Sequence, residues 1–190
     1  MRRSVRPVRL HLLPALLLAG LLALVQLAVF GTSSSQAVQT VLVGDQVVRS
    51  NVDSNPAGMA EAFQYTATAS GSATRLVVYV DGGSTASQVV VGLYADAGNT
   101  PGALLAQGTI AAPVKGAWNT VTVPAAAVTA GTSYWIAVLG PTGAGSFQFR
   151  DVPTGGRAQV SAQSNLAALP ATWSSGATYF NSPMSAYAAP

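Results

Sequence analysis

Hydrophobic residues recur at every second position along much of this chain, which is the period of a β-strand and not of a helix. Segments rich in Gly, Pro, Asn and Asp interrupt this pattern and are typical of turns. Four runs rich in β-branched and aromatic residues show the pattern most clearly, at residues 76–80, 89–94, 118–123 and 134–139. Weaker alternation predicts further strands at residues 42–48, 60–69, 103–110 and 146–150. We therefore predict about eight strands.

The last part of the chain, residues 152–190, has no clear period and is predicted to be irregular. One helical turn is predicted at residues 165–169, where Pro170 would end it. A closing strand is predicted at residues 184–188. Many short strands with Gly and Pro turns, and almost no helix, are typical of an all-β fold, either a sandwich or a barrel.

Three of the predicted strands carry aliphatic side chains on one face and a large ring on the other, and the rings belong to Tyr79, Tyr94 and Trp135. The aliphatic faces suit a core between two sheets. A small residue, Gly92 or Ala137, lies two positions from two of the rings. A face with flat rings and space beside them can stack on sugar rings. The alternative is that residues 152–190 cover the rings, which then only fill space.

Arg150 is the last residue of the strand predicted at residues 146–150, and Asp151 follows it. A guanidinium and a carboxylate together can bind vicinal hydroxyl groups, so Arg150 joins the three rings as a candidate ligand-binding residue. Adjacent strand residues point to opposite faces, however, and would share a ligand only at a strand end or bulge. The alternative use is a surface ion pair, with Arg157 as the partner of Asp151.

Two tryptophans outside these faces have simpler interpretations. Trp118, at the start of a predicted strand, either clamps a ligand at the rim or closes the end of the core. Trp173 lies in the irregular part of the chain. We expect it to hold that part against the strands.

The first 37 residues have the composition of an export signal. Four arginines lie within the first nine positions, and an apolar run follows at residues 12–30. Residues 35–37 (SQA) fit a cleavage site, so Val38 is the predicted first residue of the mature protein. The alternative is an uncleaved membrane anchor, because such a run would span about 28 Å as a helix, close to the thickness of the bilayer core. In both cases residues 38–190, predicted to form a single domain, are exported.

The positive charge of the chain comes from this leader. The whole chain has a net charge of +3, whereas residues 38–190 contain five basic and six acidic side chains, a net charge of −1. This excludes a nucleic-acid groove, which needs clustered Lys and Arg. The chain has no Cys, and its only His is His11 in the leader. Disulfides, zinc sites built on Cys or His, and nucleophiles that need a His base are therefore excluded from residues 38–190.

Three stretches carry a resemblance to a known class of protein: residues 91–106 (VGLYADAGNTPGALLA), 116–123 (GAWNTVTV) and 130–138 (AGTSYWIAV). They resemble successive strands of the accessory jelly-roll modules of secreted bacterial proteins, over roughly residues 59–151. Such modules are similar to carbohydrate-binding domains. The resemblance implies an antiparallel two-sheet β-sandwich of jelly-roll type, with polysaccharide or cell-surface glycan as the expected partner.

The loop at residues 96–102 is a candidate calcium site within this resemblance. Asp96, the amide of Asn99 and backbone carbonyls would supply the oxygen ligands. Calcium sites normally contain several carboxylate ligands, and this loop offers only one. A plain turn organised by Asp96 is therefore favoured. We predict neither a metal nor a cofactor for this protein.

Catalysis is not expected. Glycoside hydrolysis needs two carboxyl groups flanking the bond, and no spacing in the sequence brings two acidic residues together. Glu61, the only Glu, is predicted at an ordinary polar-face position of its strand. We predict a secreted, non-catalytic binding module for carbohydrate or cell-wall polysaccharide. The alternative is a structural or adhesive extracellular surface protein without a glycan ligand.

Overall fold

Residues 40–190 are described by a computed structural model, and the predicted leader, residues 1–37, lies outside the described residues. Within residues 40–190, no helix is long and apolar enough to span a lipid bilayer. Twelve strands run through this part of the chain: β1 (Val43–Gly44), β2 (Asn51–Asn55), β3 (Ala60–Thr66), β4 (Gly71–Val80), β5 (Gln88–Asp96), β6 (Pro101–Ala111), β7 (Ala117–Val128), β8 (Ser133–Leu139), β9 (Phe147–Asp151), β10 (Gly156–Ser161), β11 (Ser175–Ser182) and β12 (Ala186–Ala189).

The strands form two antiparallel sheets and a ribbon. The smaller sheet has the order β1-β12-β4-β7, and the larger sheet has the order β11-β10-β3-β8-β5-β6. The ribbon pairs β2 with β9. The predicted all-β, antiparallel, sandwich-like fold is confirmed.

The main core lies between the aliphatic faces of the sheets, as the alternation predicts. Leu76, Val91 and Ile136 come from three different strands and are fully buried in one cluster. Phe63 of β3 and Phe149 of β9 meet edge to face in the same cluster, with ring centroids 5.5 Å apart. This aromatic pair ties the ribbon to the larger sheet.

The prediction of a strand over residues 42–48 is largely wrong, because only Val43–Gly44 pairs there. The carboxylate of Asp45 accepts a hydrogen bond from the Val47 amide, 3.0 Å away, and forms an ion pair with Arg49. These local bonds turn the chain after β1. The next strand is β2, whose Asn and Asp residues are depleted in strands generally, so its sequence did not predict it.

The helical turn predicted at residues 165–169 is also wrong. The Leu166 amide donates to the Gly58 carbonyl at 3.0 Å, and the Leu166 carbonyl accepts from the Thr142 amide at 2.9 Å. Bonds to two other loops thus use the backbone groups that a helical turn would need.

Residues 152–190 contain more strand than the sequence predicts. Small and polar residues dominate β10 and β11, so their hydrophobic period is weak. They form because β10 pairs with β3, and β11 then pairs with β10. The predicted closing strand is present as β12, which pairs with β4.

Residues 162–174, here called the covering segment, lie on the outer face of the larger sheet. Leu169 and Trp173 from this segment are buried in a second hydrophobic cluster on that face. The Leu104 amide of β6 donates to the Ala171 carbonyl at 3.0 Å. The covering segment therefore makes a third layer over part of the sandwich.

Candidate functional site

The four binding residues predicted from the sequence do not meet in one site. Tyr94 and Trp135 lie on the outer face of the larger sheet. Tyr79 lies with Trp118 on the smaller sheet. Arg150 lies in the ribbon.

Tyr94 and Trp135 are fully buried beneath the covering segment. The ring of Trp173 meets the Tyr94 ring edge to face, with centroids 5.4 Å apart. Trp173 thus holds its segment against the strands, as predicted. Neither Tyr94 nor Trp135 forms an open face for a sugar in this structure, because residues 152–190 cover both, which is the alternative that the sequence left open.

The polar atoms of these two rings are bonded inside the protein. The Tyr94 hydroxyl donates to the Pro170 carbonyl at 2.7 Å, and the Trp135 indole nitrogen donates to the Asp96 carboxylate at 2.7 Å. Burial raises the pKa of Tyr94 well above its usual value, so its hydroxyl remains a donor. The rings are therefore held as structural parts of the sheet.

The loop that begins at Asp96 is a turn organised by one carboxylate. One oxygen of Asp96 accepts from Trp135 and from Gln64, the latter at 2.8 Å. The other accepts from the Gly98 and Asn99 amides, both at 3.1 Å. Burial would raise the pKa of Asp96, but these hydrogen bonds together lower it. Four donors already occupy the carboxylate, which fits a plain turn, and no metal-binding group of His, Cys, Asp and Glu is found among residues 40–190.

Arg150 is engaged by Asp81, which follows β4. The amide of Gly83 lowers the pKa of Asp81, and the Arg150 guanidinium lowers it further. The ion pair joins the ribbon to the end of the smaller sheet. Asp151 bonds to other residues, so Arg150 and Asp151 do not form a shared site.

Tyr79 is the one predicted ring that remains partly exposed. It meets Trp118 edge to face with centroids 5.6 Å apart, and Trp118 meets Tyr187 at the same distance. The three rings form a row on the outer face of the smaller sheet. Trp118 therefore does not close the end of the main core, and it is not an isolated residue at the rim of the sandwich.

A pocket that the sequence did not predict lies where the ribbon meets the larger sheet. Its volume is about 230 Å³. Residues of β2, β3, β10 and β11 contribute to its walls, and we call it the carboxylate pocket. It is lined by Asp53, Ser54, Asn55, Met59, Glu61, Val160, Tyr179 and Asn181.

Glu61 is the buried acidic group of this pocket, with only 3% of its surface exposed. One of its carboxylate oxygens accepts from the side-chain amide of Asn55 at 3.0 Å. Along β3, Glu61 alternates onto the same face as Phe63 and Tyr65, which belong to the main core. The prediction of an ordinary polar-face position for Glu61 is therefore wrong, because the ribbon covers this end of the strand.

Asp151 belongs to the same network and is fully buried. Its two oxygens accept from the side-chain amides of Asn51 at 2.6 Å and Asn181 at 2.7 Å. Asn181 also donates to Asp53 at 3.4 Å. Amide groups thus bridge the carboxylates, which lowers the cost of burying several acids together.

The electrostatics of the pocket favour protonated acids. Burial raises the pKa of Glu61 to about 7 and the pKa of Asp151 to about 6. The negative charge of Asp53 raises both further, while the neighbouring asparagine amides oppose the shift. Near neutral pH the pocket therefore offers both hydrogen-bond donors and acceptors.

One sequence signal for this pocket exists in β2. Asn51, Asp53 and Asn55 alternate at a period of two and face inward, whereas Val52 is 45% exposed and Ser54 is also exposed. A polar inner face with an apolar outer residue reverses the usual strand pattern. Such a reversal marks a strand that faces polar groups instead of a hydrophobic core.

A second, more open groove lies around the end of β5, with a volume of about 450 Å³. Its lining includes Asp96, Leu105 and Tyr134. Asp96 is the only charged residue there, and four donors already occupy its carboxylate. The carboxylate pocket offers more polar groups and is the stronger candidate site.

The side chains that line the carboxylate pocket have the chemistry that suits a ring with hydroxyl groups. Carboxylate oxygens accept from hydroxyls, and asparagine amides both donate and accept. Tyr179, 49% exposed, adds a flat aromatic wall. No family model matches the chain, and no curated protein matches it.

Proposed function

We propose that this protein is a secreted, non-catalytic binding module for carbohydrate or cell-wall polysaccharide, with the carboxylate pocket as its binding site. The observation that carries the proposal is a half-exposed ring, Tyr179, beside the side chains of Asp53, Glu61 and Asn181 in one pocket. The ring would stack on the C–H face of a sugar, while the polar groups would bond its hydroxyls.

The size of the pocket supports a short ligand segment. Its volume of about 230 Å³ is smaller than the 300–1,000 Å³ typical of pockets for drug-sized molecules. We therefore expect it to hold one sugar unit, such as a chain end or a side branch. A long, flat polysaccharide chain would need an extended row of rings instead.

We also infer a jelly-roll topology. Apart from β2 and β9–β11, the strands pair in a nested order: β1 with β12, β3 with β8, β4 with β7, and β5 with β6. A long hairpin rolled across two sheets produces such nesting. This order supports the suggested relation to accessory modules of secreted proteins.

A binding role without catalysis agrees with the hydrogen bonds that the Glu61 and Asp151 carboxyl groups already make. Asn55 holds one oxygen of Glu61, and Asn51 and Asn181 hold both oxygens of Asp151. A general acid or a nucleophile needs access to the reacting bond. Asp151 does not line the pocket, so it cannot act with Glu61 as a second carboxyl group at a bound sugar.

Export is proposed from the leader alone. Mass spectrometry of the protein recovered outside the cell tests it. We expect a first residue at Val38, and an intact chain from Met1 would support the anchored alternative.

A glycan array probed with the protein tests the binding proposal. Calorimetric titration with a soluble oligosaccharide that scores on the array then measures the affinity. We expect Tyr179→Ala to weaken binding at least tenfold, which corresponds to about 1.4 kcal/mol, because the stacking surface is lost. Asp53→Asn should weaken it as well, because a carboxylate acceptor is replaced by an amide.

Phe180→Ala is the matched control for Tyr179→Ala. Phe180 is the next residue in β11, is 61% exposed and does not line the pocket. We expect it to bind as the unmodified protein does. Absence of binding to every glycan, or equal losses in both variants, would contradict the proposal.

The second candidate function is a structural or adhesive surface protein. The exposed aromatic pair Tyr179 and Phe180, on a strand at the edge of a sheet, favours it. A negative glycan array combined with association through this strand would support this role.

A further inference from the structure

The strand β11 forms one edge of the larger sheet. The first six of its residues, 175–180, are all exposed. Within residues 40–190, no strand pairs with its outer side. An edge strand presents a row of unpaired N–H and C=O groups, which is a template for another strand.

This edge has few of the features that normally prevent pairing. Proteins protect exposed edges with charges, proline, short strands or bulges. The sequence of β11, SGATYFNS, has no charged residue and no proline over eight positions. Its pairing with β10 is irregular towards both ends but regular at Thr178 and Tyr179. The large side chains of Tyr179 and Phe180, adjacent in the strand, add apolar surface on both faces.

The other edge of the larger sheet is protected. At its start, β6 bonds to the covering segment through Leu104 and Ala171, and Ala103 bridges to Thr172. Further along, β6 packs so closely on β7 that a Cβ at Gly108 would lie 2.5 Å from a methyl carbon of Val121. Nothing comparable covers β11 within the described residues.

The edges of the smaller sheet are protected too. At one edge, β1 is only two residues long. At the other edge, β7 carries Pro124 within the strand and packs on β6. Among the edges of the two sheets, β11 alone is both long and uncovered.

We propose that β11 pairs antiparallel with β11 of a second copy of this chain, which joins the larger sheets of two protomers. Two identical strands related by a two-fold axis satisfy each other's backbone groups. No residue of β11 is charged, so self-pairing brings no like charges directly opposite each other in the paired strands. The Arg157 guanidinium of β10 lies on one face of the Phe180 ring, 5.5 Å from its centroid. Pairing about a two-fold axis uses β11 of both copies, so it stops at two.

The chain has no Cys, so single cysteines report this contact without background. We would place one cysteine at a time at Ala177, Thr178 and Phe180 in the full chain, oxidise, and measure cross-linked dimer on a non-reducing gel. Antiparallel pairing about a two-fold axis predicts strong cross-linking at the position nearest the axis and weak cross-linking at its neighbours. Val114→Cys, at a site that is 63% exposed in the turn before β7, is the control and should remain monomeric.

Light scattering supplies an independent test with the full chain. The unmodified protein should have the mass of two chains, Ala177→Lys the mass of one, and the control Val114→Lys the mass of two. A lysine in the middle of β11 places a charge on both paired strands at a short separation, so the first variant should separate the copies. Circular dichroism checks that Ala177→Lys keeps its strands, and the cysteine variants decide the question if it does not.

Three results would overturn the proposal: a monomeric mass for the unmodified chain, a mass unchanged by Ala177→Lys, or cross-linking at Val114→Cys equal to that in β11. None of these measurements involves a glycan. Failure of the pairing and failure of the proposed carbohydrate binding are therefore distinguishable.

Discussion

At the scale of single residues, the Asp96 carboxylate accepts four hydrogen bonds. It accepts from Gln64 in β3, from Trp135 in β8 and from the amides of its own turn. The donors converge on an ionised group in a partly buried place, where such bonds are stronger than between neutral groups. Three separate parts of the larger sheet thus depend on one side chain.

Replacing Asp96 with Asn should destabilise the protein by about 1.5–3 kcal/mol, the range for hydrogen bonds to charged groups. The Asn amide group would face the Gly98 and Asn99 amides, so donors would oppose donors. Urea unfolding followed by tryptophan fluorescence measures the change.

Asp45→Asn is the matched control for this substitution. The Asp45→Asn variant loses only the ion pair with Arg49 near the surface, because the Asn side chain keeps an oxygen that accepts from the Val47 amide. A loss of about 0–1 kcal/mol is expected. Equal losses in the two variants would show that Asp96 has no special structural role.

At the scale of elements, the covering segment decides what the outer face of the larger sheet can do. Leu169 packs so closely over β5 that a Cβ at Gly92 would lie 2.5 Å from its methyl carbon. The small residue beside Tyr94 therefore makes room for Leu169 and not for a ligand. The same pattern of a ring beside a small residue serves internal packing here.

Leu169→Ala should lower the free energy of unfolding by about 2–5 kcal/mol, because it leaves a cavity between the segment and the sheet. Denaturant unfolding measures the loss. Leu105→Ala, at a site that is 38% exposed, is the control and should lose much less. Similar losses would show that the segment contributes little to stability.

The strands were predictable where their side chains face a hydrophobic core. The runs in β4, β5 and β8 alternate clearly, and their aliphatic faces are buried as expected. Hydrophobic alternation did not predict β2 or β11. Polar side chains of β2 face inward, and β11 is exposed along most of its length. Tertiary pairing, which local sequence does not encode, creates both strands.

At the scale of the whole molecule, the carboxylate pocket links stability to pH. Glu61 has a pKa of about 7 in the folded protein and 4.5 as the ordinary value, and the pKa of Asp151 is raised from 3.8 to about 6. At pH values between the ordinary pKa and the raised pKa of each group, the folded state binds more protons than the unfolded state. These two groups therefore stabilise the fold most below about pH 4, and their contribution falls as the pH rises through 6 and 7. The lowered pKa values of Asp81 and Asp96 act in the opposite direction, and only below about pH 4.

We expect the free energy of unfolding to be lower at pH 8 than at pH 5, with Glu61 alone accounting for about 2–3 kcal/mol. No His lies in residues 38–190, so no imidazole titrates in the same range. Unfolding curves at several pH values measure the slope. Glu61→Gln, which cannot ionise, should flatten it, and stability that rises from pH 5 to pH 8 would contradict this account.

The site was less predictable than the fold, for a geometrical reason. Its polar groups come from Asp53, Glu61, Asp151 and Asn181, which are far apart in the sequence. Only the pairing of β2 with β9, and of β3 and β11 with β10, brings them together. The burial that raises the pKa values of Glu61 and Asp151 arises at the same step, so the inward-facing polar residues of β2 are the only local signal of the cluster.

The position of Asn181 has a consequence for biosynthesis. Its amide bridges the carboxylates of Asp53 and Asp151, which are translated 128 and 30 residues earlier. A ribosome must therefore add residue 181 and its strand before the two carboxylates can be joined. A chain truncated before this residue would lack the bridge even if most of the layers had formed.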